Sequence, residues 1–418
     1  MSVLVVGSGG REHALALALS SDPGVTAVHV TPGNPGTAQV ATNHLCESMD
    51  GPGVAMLAGQ LGVDLVVVGP EAPLVAGMAD VVTAAGIPCF GPSRAAAQIE
   101  GSKTFAKEVM AAAGVPTAAS ATCTTPAEVE SALLAFGPPY VVKDDALAAG
   151  KGVLVTEDRG AAAQHAAACG RVLVEEYLDG PEVSLFAVTD GVTVLPMQPA
   201  QDFKRAGDGD VGPNTGGMGA YTPLPWAPPD LVAEVTRSVL QPTVDELARR
   251  GSPFVGLLYA GLALTSGGIR VIEFNARFGD PETQALLARL QTPLGGLLHA
   301  AATKTLAGHP PLSWSDVAAV AVVLGSQGYP GAPRTGDVIG GLEAAAALGS
   351  RVLHAGTALD EQGHLVSAGG RVLAVVGTGV NLAAARSAAY ASMAEVTLEG
   401  SFYRRDIALM AAGQAAQA

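Results

Sequence analysis

The segment Val271-Ile272-Glu273-Phe274-Asn275-Ala276-Arg277 has the residue types and spacing to manage a polyphosphate. Read as a strand, it puts Glu273, Asn275 and Arg277 on one face and sends Ile272 and Phe274 into a core. A carboxylate and an amide oxygen two residues apart are hard ligands, suited to Mg²⁺ held jointly with phosphates. Arg277 beside them carries the planar fork that neutralises an anionic intermediate. A strand with one wet face would explain the alternation but not that mixture of Glu, Asn and Arg.

Lysine is scarce: Lys103, Lys107, Lys143, Lys151, Lys204 and Lys304 are the whole set, so each position is informative. Lys143 closes the apolar run Tyr140-Val141-Val142, and Ala148-Ala149-Gly150-Lys151-Gly152 follows it. Small residues let that loop approach phosphates closely, and Lys151 adds charge. It is not a P-loop, because position 152 is Gly rather than Ser or Thr and no glycine stands five residues before Gly150. A flap over the phosphates fits better; an exposed turn is the plainer alternative. Further on, Val174-Glu175-Glu176-Tyr177-Leu178-Asp179-Gly180-Pro181-Glu182 runs from a strand into an extended linker. Its backbone can pair with an adenine edge, Glu175 can accept from the adenine amino group, and Glu182 can accept ribose hydroxyls.

Near the start, Gly7-Ser8-Gly9-Gly10-Arg11-Glu12-His13 lies between a strand and a helix, where backbone N–H groups can hold an anion. A dinucleotide fingerprint would need glycine at position 12 and an acid after the second strand; the chain has Glu12 and then His29-Val30-Thr31-Pro32. A phosphate monoester and a plain tight turn remain equally good readings of this loop.

The elements that must position these groups alternate in type. Apolar runs at Val3–Val6, Ala27–Val30, Leu65–Val68 and Ile87–Phe90 alternate with helical stretches, including Val75–Ala85, which implies a parallel sheet. Ser102 is placed to cap a helix reaching about Ala113. Strands are expected near Tyr140–Lys143, Val153–Thr156 and Arg171–Glu175, with a helix at about Gly160–Cys169. Residues 201–225, rich in Gly, Asp, Asn and Pro, read as one long functional loop. Leu257–Leu264 and Ile269–Asn275 form a hairpin, and two helices follow it. From Val317 short strands and a helix at about Asn381–Ala394 read as an α+β terminal unit.

Bulk properties narrow the class. The chain has 418 residues, enough for two to four domains, and 49% of them are apolar. A net charge of −15 argues against a nucleic-acid backbone as partner. Cys46, Cys89, Cys123 and Cys169 form no C-x-x-C pair and suit a reducing compartment. With no signal-peptide pattern and no apolar run of spanning length, a cytoplasmic protein without a membrane partner is expected.

Taken in order, the strand lysine, Gly-Lys flap, E-x-x-L-x-G-P-E linker and E-x-N strand resemble the ATP-grasp ligases. Within them the chain is similar to the phosphoribosylamine–glycine ligase family through GSGGREHAL, GPEAPLV, EGSK, LAAGKGV, GPNTGGMGAY, GLLYAG, EFNARFGDPETQ and TGDVI, which span nearly the whole chain. The resemblance implies an α/β architecture: a Rossmann-like parallel-sheet domain (1–101), an ATP-grasp domain (102–312) with a lid at about 117–187, and an α+β domain (313–418). It implies ligation of glycine to 5-phosphoribosylamine through glycyl phosphate, with ATP and Mg²⁺ or Mn²⁺, in a monomer.

It implies roles as well. Lys103 and Lys143 contact ATP phosphates, with Gly150, Lys151 and Gly152 in the flap. Glu175 and Leu178 read adenine and Glu182 the ribose. Glu273 and Asn275 hold the metal. Asn214, Gly216, Gly217, Met218 and Arg277 face glycine and the acyl phosphate, while Gly9, Gly10 and Glu71 hold phosphoribosylamine. Lys143, Lys151 and Arg277 carry the catalysis. The chain departs from the family's usual run at Asp144 and Ala146, and the stretch between Val155 and Val172 is shorter than the family norm. Other carboxylate–amine ligases of the superfamily and a silent nucleotide-binding protein are the competing readings. Against relatives such as biotin-dependent carboxylases, Gly256-Leu257-Leu258-Tyr259-Ala260-Gly261 carries no extra metal carboxylate.

Overall fold

The computed structural model describes residues 1–147 and 152–415. Strand Ser2–Gly7 lies at the centre of a five-stranded parallel sheet, flanked by Ala27–Pro32 and Thr42–Asn43 on one side and by Leu65–Val68 and Cys89–Phe90 on the other. Val3, Leu4, Val5 and Val6 are fully buried, as expected for a strand covered on both faces. The helix expected over Val75–Ala85 is two helices, Glu71–Ala76 and Met78–Ala84. They are divided at Gly77, whose φ of +95° suits glycine alone.

A small antiparallel sheet follows, in the order Ser120–Cys123, Val172–Glu175, Tyr140–Asp144, Val153–Thr156. Helices Pro126–Phe136 and Arg159–Ala168 cover one face around Leu133, Val142 and Val174. The helix before it, Lys103–Ala113, begins as expected: Ser102 Oγ accepts from the Phe105 N–H at 3.2 Å. A second antiparallel sheet joins Val194–Pro196, Glu182–Asp190, Val255–Thr265 and Gly268–Asn275.

Residues 201–225 are not one loop. They contain strands Gln201–Asp202, Arg205–Gly207, Val211–Asn214 and Gly219–Thr222. The first and last complete a sheet with Ala318–Gly325, Arg371–Gly379 and Arg351–His354. Gly and Asp hide strand character from a propensity reading. Here the pairing comes from Ala318–Gly325, about a hundred residues away. Helix Leu382–Glu395 packs across this C-terminal sheet, with Leu382, Ala385, Ala389 and Met393 buried.

Candidate active site

The four sheets leave a cleft of about 700 Å³ between them. At the small-sheet end, Lys143 is nearly buried on its strand and donates to Glu175 Oε2 at 2.8 Å and to the Ile272 carbonyl at 2.9 Å. That carbonyl is available because the Gly268–Asn275 strand bulges there: Gly261 pairs with Glu273 and Leu262 with Val271, leaving Ile272 as the extra residue. Ile272 therefore lines the cleft instead of entering the core, whereas Phe274 is buried as expected. Lys107 holds the other oxygen of Glu175 at 3.1 Å. Lys103 reaches the Ala146 carbonyl at 3.1 Å, and burial lowers the pKa of its ammonium despite the Glu273 carboxylate nearby.

Glu273 faces the cleft with Lys204 Nζ at 3.6 Å, and the same ammonium bonds Glu182 at 2.9 Å. Burial raises Glu273's pKa, but Lys204, Lys143, Lys103 and Arg277 outweigh that and leave it below the ordinary carboxylate value. It is therefore ionised, as a metal ligand must be. Among the described residues no cluster of three or more His, Cys, Asp or Glu could cage an ion. Glu273 and Asn275 thus fit a hard cation that takes its remaining ligands from phosphates and water, the usual habit of Mg²⁺.

At the opposite end, Arg277 lies between Glu71 (3.1 Å) and Glu100 (3.3 Å). Burial raises Glu71's pKa, but Arg277 and Arg11 overcome it and bring the carboxyl down to about 2. For Glu100 burial prevails and raises the pKa. Arg371, from the C-terminal sheet, donates to the Gly216 carbonyl at 2.6 Å and the Asp280 carbonyl at 2.7 Å. It thereby ties the 214–219 loop to the turn after Arg277. Gly217 in that loop has φ +110°, and a Cβ there would lie 2.5 Å from Pro281 Cδ.

The cleft collects Glu71, Lys103, Lys143, Gly152, Glu175, Leu178, Glu182, Asn214, Gly216, Glu273, Asn275 and Arg277. Gly150 and Lys151 lie outside the described residues. Four expected positions do not line the cleft. Met218 is fully buried, with its N–H on the Phe203 carbonyl, so it packs in the core and faces no substrate. Gly217 shapes the loop from behind. The Gly9 N–H is taken by Glu12 Oε2 at 2.6 Å, and the Arg11 N–H points at Asp280 Oδ2 at 3.3 Å. The first glycine loop, Gly9 and Gly10 included, thus meets carboxylates of the protein itself. Glu175 is present, but both its oxygens are engaged by lysines; the Glu176 N–H is on the Ala119 carbonyl at 3.0 Å, which leaves the edge from the Glu176 carbonyl to the Leu178 N–H for a base.

The sequence reading missed Lys107, Asp202, Lys204, Glu282 and Arg371, all of which line the cleft. The scarcity of lysine was a usable signal for Lys107 and Lys204. Glu282 stood unremarked inside FGDPET. Nothing local marks Arg371.

Family models described as the N domain, ATP-grasp (A) domain and C domain of phosphoribosylglycinamide synthetase match residues 1–100, 101–283 and 319–410. A phosphoribosylamine–glycine ligase from Streptomyces coelicolor is 67% identical, with 99% of this chain and 100% of that one covered. The crystal structure of the Thermotoga maritima phosphoribosylamine–glycine ligase superposes with a TM-score of 0.84 at 33% identity, covering 97% of this chain and 100% of the other. The biotin carboxylase domain of a Hydrogenobacter thermophilus 2-oxoglutarate carboxylase, solved with MgADP and bicarbonate, shares the fold. Its TM-score is 0.71 at 16% identity, over 96% of this chain and 91% of that one.

Proposed function

The chain belongs to the phosphoribosylglycinamide synthetase family, and from that premise we infer that its cleft joins glycine to 5-phosphoribosylamine, forming glycinamide ribonucleotide as ATP becomes ADP and phosphate. The observation that carries the reading is the convergence of Lys103, Lys143, Glu273, Asn275 and Arg277 on one cleft. The segments that bring them there lie far apart in sequence.

In this reading glycine's carboxylate attacks the γ-phosphate to give glycyl phosphate and ADP. The amine of 5-phosphoribosylamine then attacks the acyl carbon and expels phosphate. Such transfers need positioning and charge neutralisation more than proton transfer. Lys103 and Lys143 draw charge off the phosphates, and Glu175 fixes where Lys143 stands. Arg277, with Nε on Glu71 and Nη2 on Glu100, brings its guanidinium charge to the acyl phosphate. Mg²⁺ or Mn²⁺ on Glu273 and Asn275 would neutralise phosphate charge. The Glu176–Leu178 backbone takes the adenine edge and Glu182 the ribose. Gly152 lines the cleft where the phosphates are proposed to lie. Asn214, Gly216 and Glu71 bound the space for glycine and the amine substrate.

The working division is 1–101, 102–312 and 313–418, with the cleft where the three meet. A monomer in the cytoplasm is the proposed working state; among the described residues no helix is long and apolar enough to cross a membrane.

Phosphate release from ATP tests this. It should require glycine together with phosphoribosylamine generated in situ. Release supported by D-alanine or bicarbonate in their place would point to another ligase of the superfamily, and no release at all would point to a silent nucleotide binder.

A further inference from the structure

The hairpin of strands Arg205–Gly207 and Val211–Asn214 borders the cleft with Arg205, Asp210 and Asn214. At its root stands Lys204, whose carbonyl accepts from the Thr215 N–H at 2.7 Å and whose ammonium bridges Glu182 and Glu273. The hairpin itself buries little. Val211, Gly212 and Pro213 are exposed, and the two strands form a sheet of their own. A two-stranded ribbon of this kind is at best marginal in water, so its position must be set by what it packs against.

The hold comes from a segment about two hundred residues further on. Arg404 is buried, and its guanidinium donates to Asp406 through Nε at 2.8 Å and Nη2 at 2.6 Å. Its Nη1 donates to Asp210 Oδ1 at 2.6 Å and to the Arg205 carbonyl at 3.1 Å. The guanidinium carbon also lies 4.8 Å from the centre of the Phe203 ring. Backbone contacts add to this: the Gly209 N–H donates to Asp406 Oδ2 at 2.8 Å, and the Arg405 N–H to Asp208 Oδ1 at 2.7 Å. Each residue of the turn Asp208-Gly209-Asp210 is thus fastened to residues 404–406. Asp210 has φ +55°, a left-handed conformation that costs a residue with a Cβ, and its ion pair with Arg404 offsets that cost. A planar fork serves two carboxylates and a carbonyl at once, which a lysine ammonium would not do in one geometry.

We propose that Arg404 is a positioning residue: by pinning the 208–210 turn and the Arg205 carbonyl, it sets where Lys204 and Asn214 stand in the cleft. This rests on the ligase reading above. Arg404 does not itself line the cleft, but its grip on Arg205 reaches within one residue of the cleft lysine. The C-terminal segment thereby governs the site without touching a substrate.

Asp210→Gly is the cleaner test. Glycine suits φ +55°, the Asp210 side chain is mostly exposed, and Arg404 keeps Asp406, so the fold is retained. At saturating glycine, phosphoribosylamine and ATP its kcat should fall about 5- to 50-fold, as expected for displaced cleft groups, with the denaturation midpoint unchanged. Trypsin should cut after Lys204 or Arg205 faster than in the wild type, because the freed hairpin opens locally. Arg404→Met should lower kcat at least as far, and the double variant should be no slower than Arg404→Met alone, since both changes remove one tie. A kcat within about twofold of wild type in folded Asp210→Gly would overturn this inference alone. Effects that multiply in the double variant, or a loss of kcat without faster cleavage, would overturn it in favour of Asp210 meeting a substrate directly. A loss of kcat matched by a lower denaturation midpoint would overturn it in favour of a general structural role. Wild-type enzyme without glycine-dependent turnover would overturn the ligase reading and this inference together.

Discussion

At the small-sheet end of the cleft, Lys107 and Lys143 close on the two oxygens of Glu175; at the other end, Arg277 lies between the carboxylates of Glu71 and Glu100. In one cluster two lysines share one acid; in the other two acids share Arg277, with Arg11 also 3.9 Å from Glu71. The first leaves positive charge to face an anionic tail, and Lys103 adds to it. The second, with Asp202 and Glu282 also lining the cleft, sets acids around an arginine fork. A protein of net charge −15 gathers Lys103, Lys107 and Lys143 at one end of one cleft, a local concentration of positive charge of the kind a polyphosphate needs. The side chains differ accordingly. Lysine is a point charge on a flexible stem, whereas the arginine fork locks three segments into one geometry.

Removing Arg277 should break the comparison most severely. Arg277→Ala is expected to lower kcat/KM by about a thousandfold. It should also cost about 3–5 kcal/mol of stability, since Glu71 and Glu100 lose their shared cation. Arg277→Lys separates the two effects: chemical denaturation should return most of the stability while steady-state assays stay poor.

At the lysine-rich end the expected effect is smaller. Glu175→Gln leaves Lys107 and Lys143 charged but unanchored, and should raise the KM for ATP about 10- to 50-fold with a lesser change in the KM for glycine. An equal rise in both would show that the two ends do not act separately.

Acid probes the seam behind the substrate end. His13 and His354 are buried there, with the His354 N–H donating to His13 Nδ1 at 2.8 Å. Burial, with His354 adding to it, lowers the His13 pKa to about 3, and burial lowers that of His354 to about 4. The unfolded chain therefore binds more protons below about pH 6.5, so stability present above that pH is lost progressively as pH falls towards 4. Denaturation at pH 7 and pH 5 should differ by about 2 kcal/mol for each histidine, and His13→Gln should shrink the difference. The smallest effect is expected at Ala146, beside the Lys103 contact. Ala146→Gly should change the KM for ATP by no more than about threefold, which direct nucleotide titration would check.

What was legible follows from how each group is held. Lys143, Glu273 and Asn275 stand on strands whose alternation declares the face they share, and Arg277 follows two residues past a strand end, so their joint placement could be read from spacing. Ile272 broke that rule because a bulge, which depends on the partner strand, shifted the register by one residue. Met218 carried a family motif but is buried under the C-terminal sheet, and motif membership alone does not say which residues of a motif reach the cleft. The Gly9 loop looked ready for an anion until Glu12 folded back on it.

From the sequence alone came the strand–helix alternation of the first domain, the cap at Ser102, the hairpin that carries Glu273 and the strand that carries Lys143. All of these are local, set by period, turn chemistry and neighbouring side chains. Only the tertiary structure decided that strands Gln201–Asp202 and Gly219–Thr222 join the C-terminal sheet, that Arg371 reaches the Asp280 turn, and that Asp202 and Glu282 both line the cleft with no ion-pair partner among the described residues. Those contacts join segments about eighty or more residues apart, and their strength lies in burial and charge pairing that no single segment contains.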